Sequence, residues 1–258
     1  VAEAVAELDQ LGFGGLFVPG GLGSDILATI GRLLGHSRDL VIAAGIVNIW
    51  TNEPEQVARE RARIESAHPN RLLVGLGSSH ASLVGEISGG RHGRPLAEMR
   101  GYLDRLAAAD PPVPRDSLFL GALGPRMLEL AGERTAGAFP YFVPVEHTRR
   151  ARAILGPGPL LVVEQGVLLE PDASRAREQA REGISHLLAL PNYAANLGRL
   201  GYGEDDLRGG GSERLVDDLI AWGDEDAIAA RVAAHRAAGA DCVALQVTAA
   251  PDLASERS

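Results

Sequence analysis

The residues best suited to chemistry sit where apolar runs stop. RLLVGLGSSH, Arg71 to His80, is an almost unbroken apolar string that closes on Gly, Ser, Ser and His. A histidine titrates near neutral pH, so His80 can give or take a substrate proton, and Ser78 and Ser79 offer donors beside it. Gly75 and Gly77 let a flat ring approach the backbone, although small residues that merely complete packing are the plainer reading. They form no dinucleotide fingerprint, because Ser, Ser and His follow where the remaining glycine is required. In GALGPRM, Gly121 to Met127, a strand ends in small residues and Pro125 stands in the first turn of a helix. Backbone donors of that turn point at the strand end, which suits an anion, and Arg126 adds charge. Glu164 and Gln165 interrupt the apolar LLVVEQGVLL. A carboxylate there must be paired, protonated or facing a polar cavity, so Glu164 is either a second acid-base candidate or half of a structural ion pair. Arg149 and Arg150 in EHTRRARAILG either meet an acidic ligand or form a solvated face. Of the other histidines only His92 and His147 fall near strand ends, and no two have metal-binding spacing, so no metal is expected.

Composition narrows the chemistry. At 258 residues and 45% hydrophobic content, the chain suits one α/β domain over residues 1–258. A net charge of -9 argues against a general nucleic-acid surface and makes any anion site local. All 25 basic residues are arginine, which excludes a Schiff-base lysine and a lysine-bearing phosphate loop. The single cysteine, Cys242 in DCVALQV, excludes an internal disulfide and fits a reducing cytoplasm. No apolar run reaches the ~20 residues of a membrane span, and the first residues form no signal peptide. A cytoplasmic protein without membrane or nucleic-acid partners is expected.

The elements that must position these residues alternate. VAEAVAELDQLG reads as a helix and GLFVPG as a strand; SDILATIGRLLGHS, with Ser24 as cap, leads to LVIAAGIVNIW; EPEQVARERARIESAHPN leads to RLLVGLG. PLAEMRGYLDRLAAA and SLFLGAL follow, then PRMLELAGERT and AGAFPYFV, then EHTRRARAILG and PLLVVEQGVLL. DASRAREQAREGISHLLAL, PNYAANLGRLG, SERLVDDLIAWG and DEDAIAARVAAHRAAG read as helices before the strand DCVALQV. Seven apolar strands between helices imply a parallel sheet, either open and doubly wound or closed as a (β/α)8 barrel. An eight-stranded barrel would lack its first strand unless that strand precedes Val1. In either fold, ligands collect at the carboxyl ends of the strands.

LGFGGLFVPG, AAGIVNIWTNEPEQVA, NRLLVGLGSSH, LGALGPRMLELA, GAFPYFVPVEHTRRARAILG, LPNY and ERLVDDLIAWGDEDAIAARVAAHRAAGAD together resemble the luciferase-like monooxygenase superfamily. Within it, the oxidoreductases that use the deazaflavin coenzyme F420 are most similar. The resemblance runs through nearly the whole chain in order. It implies a TIM barrel whose first strand precedes a segment like Val1 to Leu11, with the cofactor across the carboxyl ends of the strands. It implies a bend behind the cofactor ring at Gly45 and Ile46, in several members a non-proline cis peptide, and a phosphate cradle at Ala122, Leu123, Gly124 and Pro125. It places Pro140 and Tyr141 against the cofactor tail, Tyr141 as a hydroxyl donor or as rim packing, and Gly77, Ser78 and Ser79 beside the ring, and it strengthens His80 as the catalytic residue, with Glu164 the second candidate from its own setting. Many relatives carry an acid or a histidine where this chain has Gly20, which leaves that position empty. The glycine-rich GEISGGRHGRP beside His80 is either a lid or a connection.

The expectation is therefore a coenzyme F420-dependent oxidoreductase that exchanges hydride with a small organic substrate, as a homodimer. The alternatives are an FMN-dependent monooxygenase on the same barrel and a degenerate, non-catalytic cofactor-binding barrel, the latter favoured by Gly20 and the incomplete first strand.

Overall fold

Apolar runs that follow helices become parallel strands, because a strand buried on both faces can keep a continuous run of Val, Leu and Ile. The computed structural model describes residues 1–20, 25–80, 84–85 and 94–248. Residues 1–122 and 126–139 pack as one unit. Its strands β1 (Gly15–Val18), β2 (Val41–Asn48), β3 (Leu72–Gly77), β4 (Leu118–Leu120) and β5 (Gly137–Ala138) pair in chain order, all parallel. Helix α1 (Ala2–Gln10) precedes β1, and the crossover helices α2 (Ile26–Leu34), α3 (Pro54–Ala67), α4 (Pro95–Ala108) and α5 (Pro125–Arg134) make that order possible. In α2, Ile26, Leu27, Ile30, Leu33 and Leu34 form one buried stripe. Its cap is Asp25, whose carboxylate accepts from the Ala28 N–H at 3.1 Å. Ser24, the expected cap, lies outside the described residues. Arg71, just before β3, donates to the carbonyls of Leu34, Ser37 and Leu40, which ties α2 and the start of β2 to β3.

Leu123–Pro125 and the described residues from Pro140 onward form the second unit. Here β6 (Leu160–Leu169) pairs in parallel with both β7 (Ile220–Gly223) and β8 (Cys242–Val247). The helices are α6 (Val145–Leu155), α7 (Ala173–Leu188), α8 (Pro191–Arg199), α9 (Glu204–Leu207), α10 (Glu213–Leu219) and α11 (Glu225–Ala237). Ala176, Ala180, Ile184 and Leu188, one turn apart along α7, pack with Leu168, Tyr193, Leu197, Leu215 and Ile220. Each fully buried Leu or Ile side chain contributes about 1.5–3 kcal/mol to such a core. Arg152 donates to the Gly239 carbonyl and the Asp241 carboxylate, and Asp241 accepts from the Leu161 N–H, so the starts of β6 and β8 are fastened together.

The strand count departs from expectation. The sequence reads residues 212–223 as one helix, but α10 stops at Leu219 and Ile220–Gly223 pairs with Gly166–Leu169, giving eight strands among the described residues. The apolar spacing of Leu215, Val216, Leu219 and Ile220 suits either structure. What decides is the sheet edge: Ile220 takes extended angles, and Gly223, at a φ of 129°, turns the chain into α11 under the Asp224 cap. AGAFPYFV is strand only at Gly137–Ala138. The chain then leaves the sheet, with Phe142 at a φ of 60°. Among the described residues no helix is long and apolar enough to cross a membrane.

Candidate active site

In the first unit, the strand ends are organised around Ile46. The Gly45–Ile46 peptide is cis, and the β2–β3 register shifts between Ala44 and Val47. Beneath Gly45, the rings of Phe17 and Phe139 stack with centroids 4.2 Å apart. A Cβ on Gly75 would lie 2.2 Å from the Ala44 oxygen, and one on Gly77 2.7 Å from Ile46 Cγ1. Both glycines are thus explained by the packing of β2 on β3, so the flat ring expected over their backbone is not what requires them. Gly20 follows the same rule: its Cβ would lie 2.0 Å from the Ile46 oxygen. At the position read as an empty catalytic slot, the Ile46 carbonyl lies where a side chain would start, so this packing leaves no room for an acid or an imidazole.

The end of β3 is held from below. Asn48 is buried and its Oδ1 accepts from the Trp50 N–H at 2.9 Å; the Trp50 indole donates to the Ser78 carbonyl at 2.7 Å; and the Ile49 N–H donates to Gly77. Ser79 takes a φ of 55°, which turns the chain so that His80 follows half-buried beyond the strand. The His80 carbonyl accepts from the Val84 N–H. His92 and most of the glycine-rich loop lie outside the described residues.

In the second unit, successive residues of β6 face opposite sides, so Glu164 and Gln165 meet different surroundings. Gln165 donates to the carbonyls of Gly166 and Leu219, and its Oε1 pairs with His235 Nε2 at 2.8 Å, while His235 Nδ1 pairs with the Thr148 hydroxyl. Nε2 of His235 is the donor, because an amide oxygen only accepts. Burial pushes the His235 imidazole down to about 4, so it is neutral in the folded protein. This side is a closed structural network.

Glu164 has no such company. It is 8% exposed, and Oε2 accepts from the Phe142 N–H at 3.0 Å. Burial pushes its carboxyl up to about 7, against the smaller opposing effect of that hydrogen bond. Among the described residues it has no ion-pair partner, which removes the structural ion-pair reading. A carboxyl that titrates near neutrality can serve as acid or base. Tyr141 is half-buried, hydrogen-bonded to the Gln246 side chain, with its hydroxyl pushed up to about 12 mainly by burial. It is therefore a neutral donor. Pro140 presents its carbonyl to the Glu164 N–H.

The turn at Leu123 and Gly124 opens α5. Among the described residues beyond its chain neighbours, a Cβ on Gly124 would meet only the Arg199 Nη2 atom within 4 Å, at 3.9 Å, so the space beside this backbone is open with a guanidinium at its edge. His147 lies under the turn, its Nε2 2.9 Å from the Leu123 carbonyl, and burial lowers its pKa. Arg199 donates to Asn196 Oδ1 at 3.0 Å; Asn196 is 2% exposed and its Nδ2 has no partner among the described residues. These surroundings fit a phosphate. Arg149 and Arg150 are instead taken up by Glu146, in ion pairs on an exposed face.

Of the expected residues, Gly45, Ile46, Gly77, Ser78, Ser79 and His80 gather at neighbouring strand ends of the first unit, where Ala122 also belongs; Leu123, Gly124, Pro125, Pro140, Tyr141 and Glu164 belong to the second. Sequence reading missed Asn196 and Arg199, because PNYAANLGRLG looks like an ordinary surface helix. It also left Gln246 and Tyr193 unremarked, although a buried tyrosine beside Tyr141, with ring centroids 6.1 Å apart, follows from LPNY only once the fold is known. Among the described residues no group of three or more His, Cys, Asp or Glu could hold a metal ion.

The model of the luciferase-like monooxygenase family matches residues 1–242. A Mycobacterium tuberculosis protein named as a coenzyme F420-dependent oxidoreductase is 27% identical over 154 residues, covering 58% of this chain. The chain spans 42% of that relative's length. Among solved structures, the coenzyme F420-dependent tetrahydromethanopterin reductase of Methanopyrus kandleri is similar with a TM-score of 0.76 and 14% identity, over 96% of this chain and 90% of that one. An F420-dependent secondary alcohol dehydrogenase in complex with an F420-acetone adduct gives 0.68 at 15% identity, over 96% and 88%. The oxygenating constituent of 3,6-diketocamphane monooxygenase from Pseudomonas putida, in complex with FMN, gives 0.66 at 14%, over 97% and 86%. At these identities the likeness is one of fold, the luciferase-like TIM barrel.

Proposed function

Because the chain belongs to the luciferase-like monooxygenase family, we propose that it is a coenzyme F420-dependent oxidoreductase of the cytoplasm that moves a hydride between the deazaflavin and a small organic substrate. The observation that carries the reading is the open turn at Leu123 and Gly124, whose backbone would receive the cofactor phosphate. The names of the M. tuberculosis relative and of two structural neighbours support the deazaflavin. When bound, the deazaflavin supplies or accepts hydride at its ring carbon. The protein's part is to hold and to move protons. Ala122 to Pro125 would bind phosphate, the bend at Gly45 and Ile46 and the end of β3 would seat the ring, and Pro140 and Tyr141 would border the tail. His80 would exchange the substrate proton, and Glu164, titrating near neutrality, would hold a second one at its carboxyl oxygen.

FMN is the second reading, favoured by the FMN complex of the P. putida neighbour. Both cofactors carry a phosphate, so the turn does not discriminate; the extended anionic tail of the deazaflavin does. Fluorescence titration of the full-length protein is expected to show tighter binding of the deazaflavin than of FMN, with the gap narrowing as salt screens the tail. Equal or reversed affinities at low salt would replace the deazaflavin assignment by the FMN one. Sedimentation of the same samples tests the homodimer.

A further inference from the structure

We propose that Asn196 and Arg199, one helical turn apart at the end of α8, form a clamp on the phosphate seated at the Leu123–Gly124 turn. The proposal rests on the cofactor reading above but names residues that the family resemblance did not supply.

Three independent observations converge on these two side chains. Among the described residues beyond its chain neighbours, Arg199 Nη2 is what a Gly124 Cβ would meet, at 3.9 Å, so its guanidinium borders the turn. It is also a charge in reserve. Arg149 and Arg150 are held by Glu146 and Arg177 by Asp217, whereas among the described residues no carboxylate lies within 4.0 Å of Arg199. Its guanidinium donates instead to the neutral Asn196 Oδ1. Third, the Nδ2 of that amide is buried without a partner among the described residues. A buried N–H group left unsatisfied is costly, and an anion oxygen is the partner that this donor and the guanidinium can share.

The clamp is built to stay in place. Tyr193 and Leu197 of the same helix are in the hydrophobic cluster of the second unit. Arg150 Nη1 donates to the Arg199 carbonyl at 2.7 Å while its Nε holds Glu146. The backbone at position 199 is therefore anchored independently of the side chain, and Arg199→Gln removes charge without undoing the helix end. In this lysine-free chain, Arg199 adds a cationic contact to the backbone donors of the turn.

The test compares ligand pairs that differ in the phosphate: FMN against riboflavin, and the deazaflavin coenzyme against its phosphate-free riboside, each titrated by fluorescence into the full chain. Arg199→Gln is expected to weaken the phosphate-bearing member of a pair roughly 10- to 100-fold, as for a charge-assisted hydrogen bond, and the phosphate-free member by less than about 2-fold. Arg199→Lys should recover part of the loss, and Asn196→Asp, which puts a like charge beside the phosphate, should reproduce it. Equal losses on both members, or none, overturn the clamp. Thermal unfolding in inorganic phosphate separates the two readings. A wild-type chain that binds none of the four compounds, yet is stabilised by phosphate where Arg199→Gln is not, keeps the clamp and sinks the cofactor reading. No response to any of the five ligands sinks both.

Discussion

The strand ends of the two units are made by opposite means. In the first, shape comes from side chains that are missing: Gly20, Gly75 and Gly77 yield to the carbonyls of Ala44 and Ile46 and to the Ile46 side chain. In the second, it comes from polar side chains that are present: Glu164, Tyr141, Gln165, His235, Asn196 and Arg199. The lesson is that the first should be intolerant of added volume and the second responsive to pH and charge.

The largest effect separates chemistry from framework. His80→Asn should lower turnover about 100- to 10,000-fold, the usual worth of general acid-base assistance, while cofactor affinity holds, because binding is spread over many backbone contacts. Steady-state kinetics beside a binding titration measures both, and unchanged turnover would reduce His80 to a loop-shaping residue. Next comes volume. Gly75→Ala drives a methyl to 2.2 Å from the Ala44 oxygen and should cost about 3 kcal/mol of stability, whereas Gly124→Ala, in open space, should stay within ~0.5 kcal/mol. Similar denaturation midpoints for the two variants would erase the contrast.

The smallest effect is the pH response of Glu164. Its carboxyl titrates at about 7 when folded, above its ordinary 4.5, so between those values the folded state binds more protons than the unfolded one. Stability contributed by this group is therefore present at low pH and lost as pH rises through about 7. Glu164→Gln should then stabilise the protein by up to ~3 kcal/mol at pH 8 and not at all at pH 4. A pH-independent difference in unfolding free energy would mean that the carboxyl is not desolvated as described.

Much of this was legible in the sequence. Continuous apolar runs ending in small residues announced parallel strands, and the family motifs carried the bend at Gly45 and Ile46 and the turn at Gly124. What stayed hidden depends on contacts distant in the chain. Gly20 looks like a loss until the Ile46 carbonyl is seen where its side chain would be. Ile220 and Trp222 read as the last turn of a helix because the choice belongs to Leu168 and Leu169, the strand they join. Glu164 and Gln165 are neighbours of similar polarity, and only their opposite faces make one a titrating acid and the other a structural amide. Arg199 is one arginine among 25, distinguished only by its place beside Gly124 and its bond to Asn196.

β6 also has to wait for its partners during synthesis. In the first unit each strand meets the next one made, Gly15 with Val41 and Phe119 with Gly137, so assembly can follow the emerging chain. The Leu161 N–H, by contrast, meets the Asp241 carboxylate across 80 residues. Until α11 and β8 have left the ribosome, LLVVEQGVLL is an apolar ribbon of the kind that pairs with copies of itself. In water Glu164 is ionised at neutral pH, and a charge in the middle of such a ribbon repels a second copy; on burial its carboxyl takes up protons more readily and the strand is paired, so the repulsion no longer matters. The same residue thus acts as a gatekeeper during folding and as an acid after it. Glu164→Gln, though more stable once folded, should scatter more light during refolding at neutral pH than the wild type does, and equal scattering would deny it that first role.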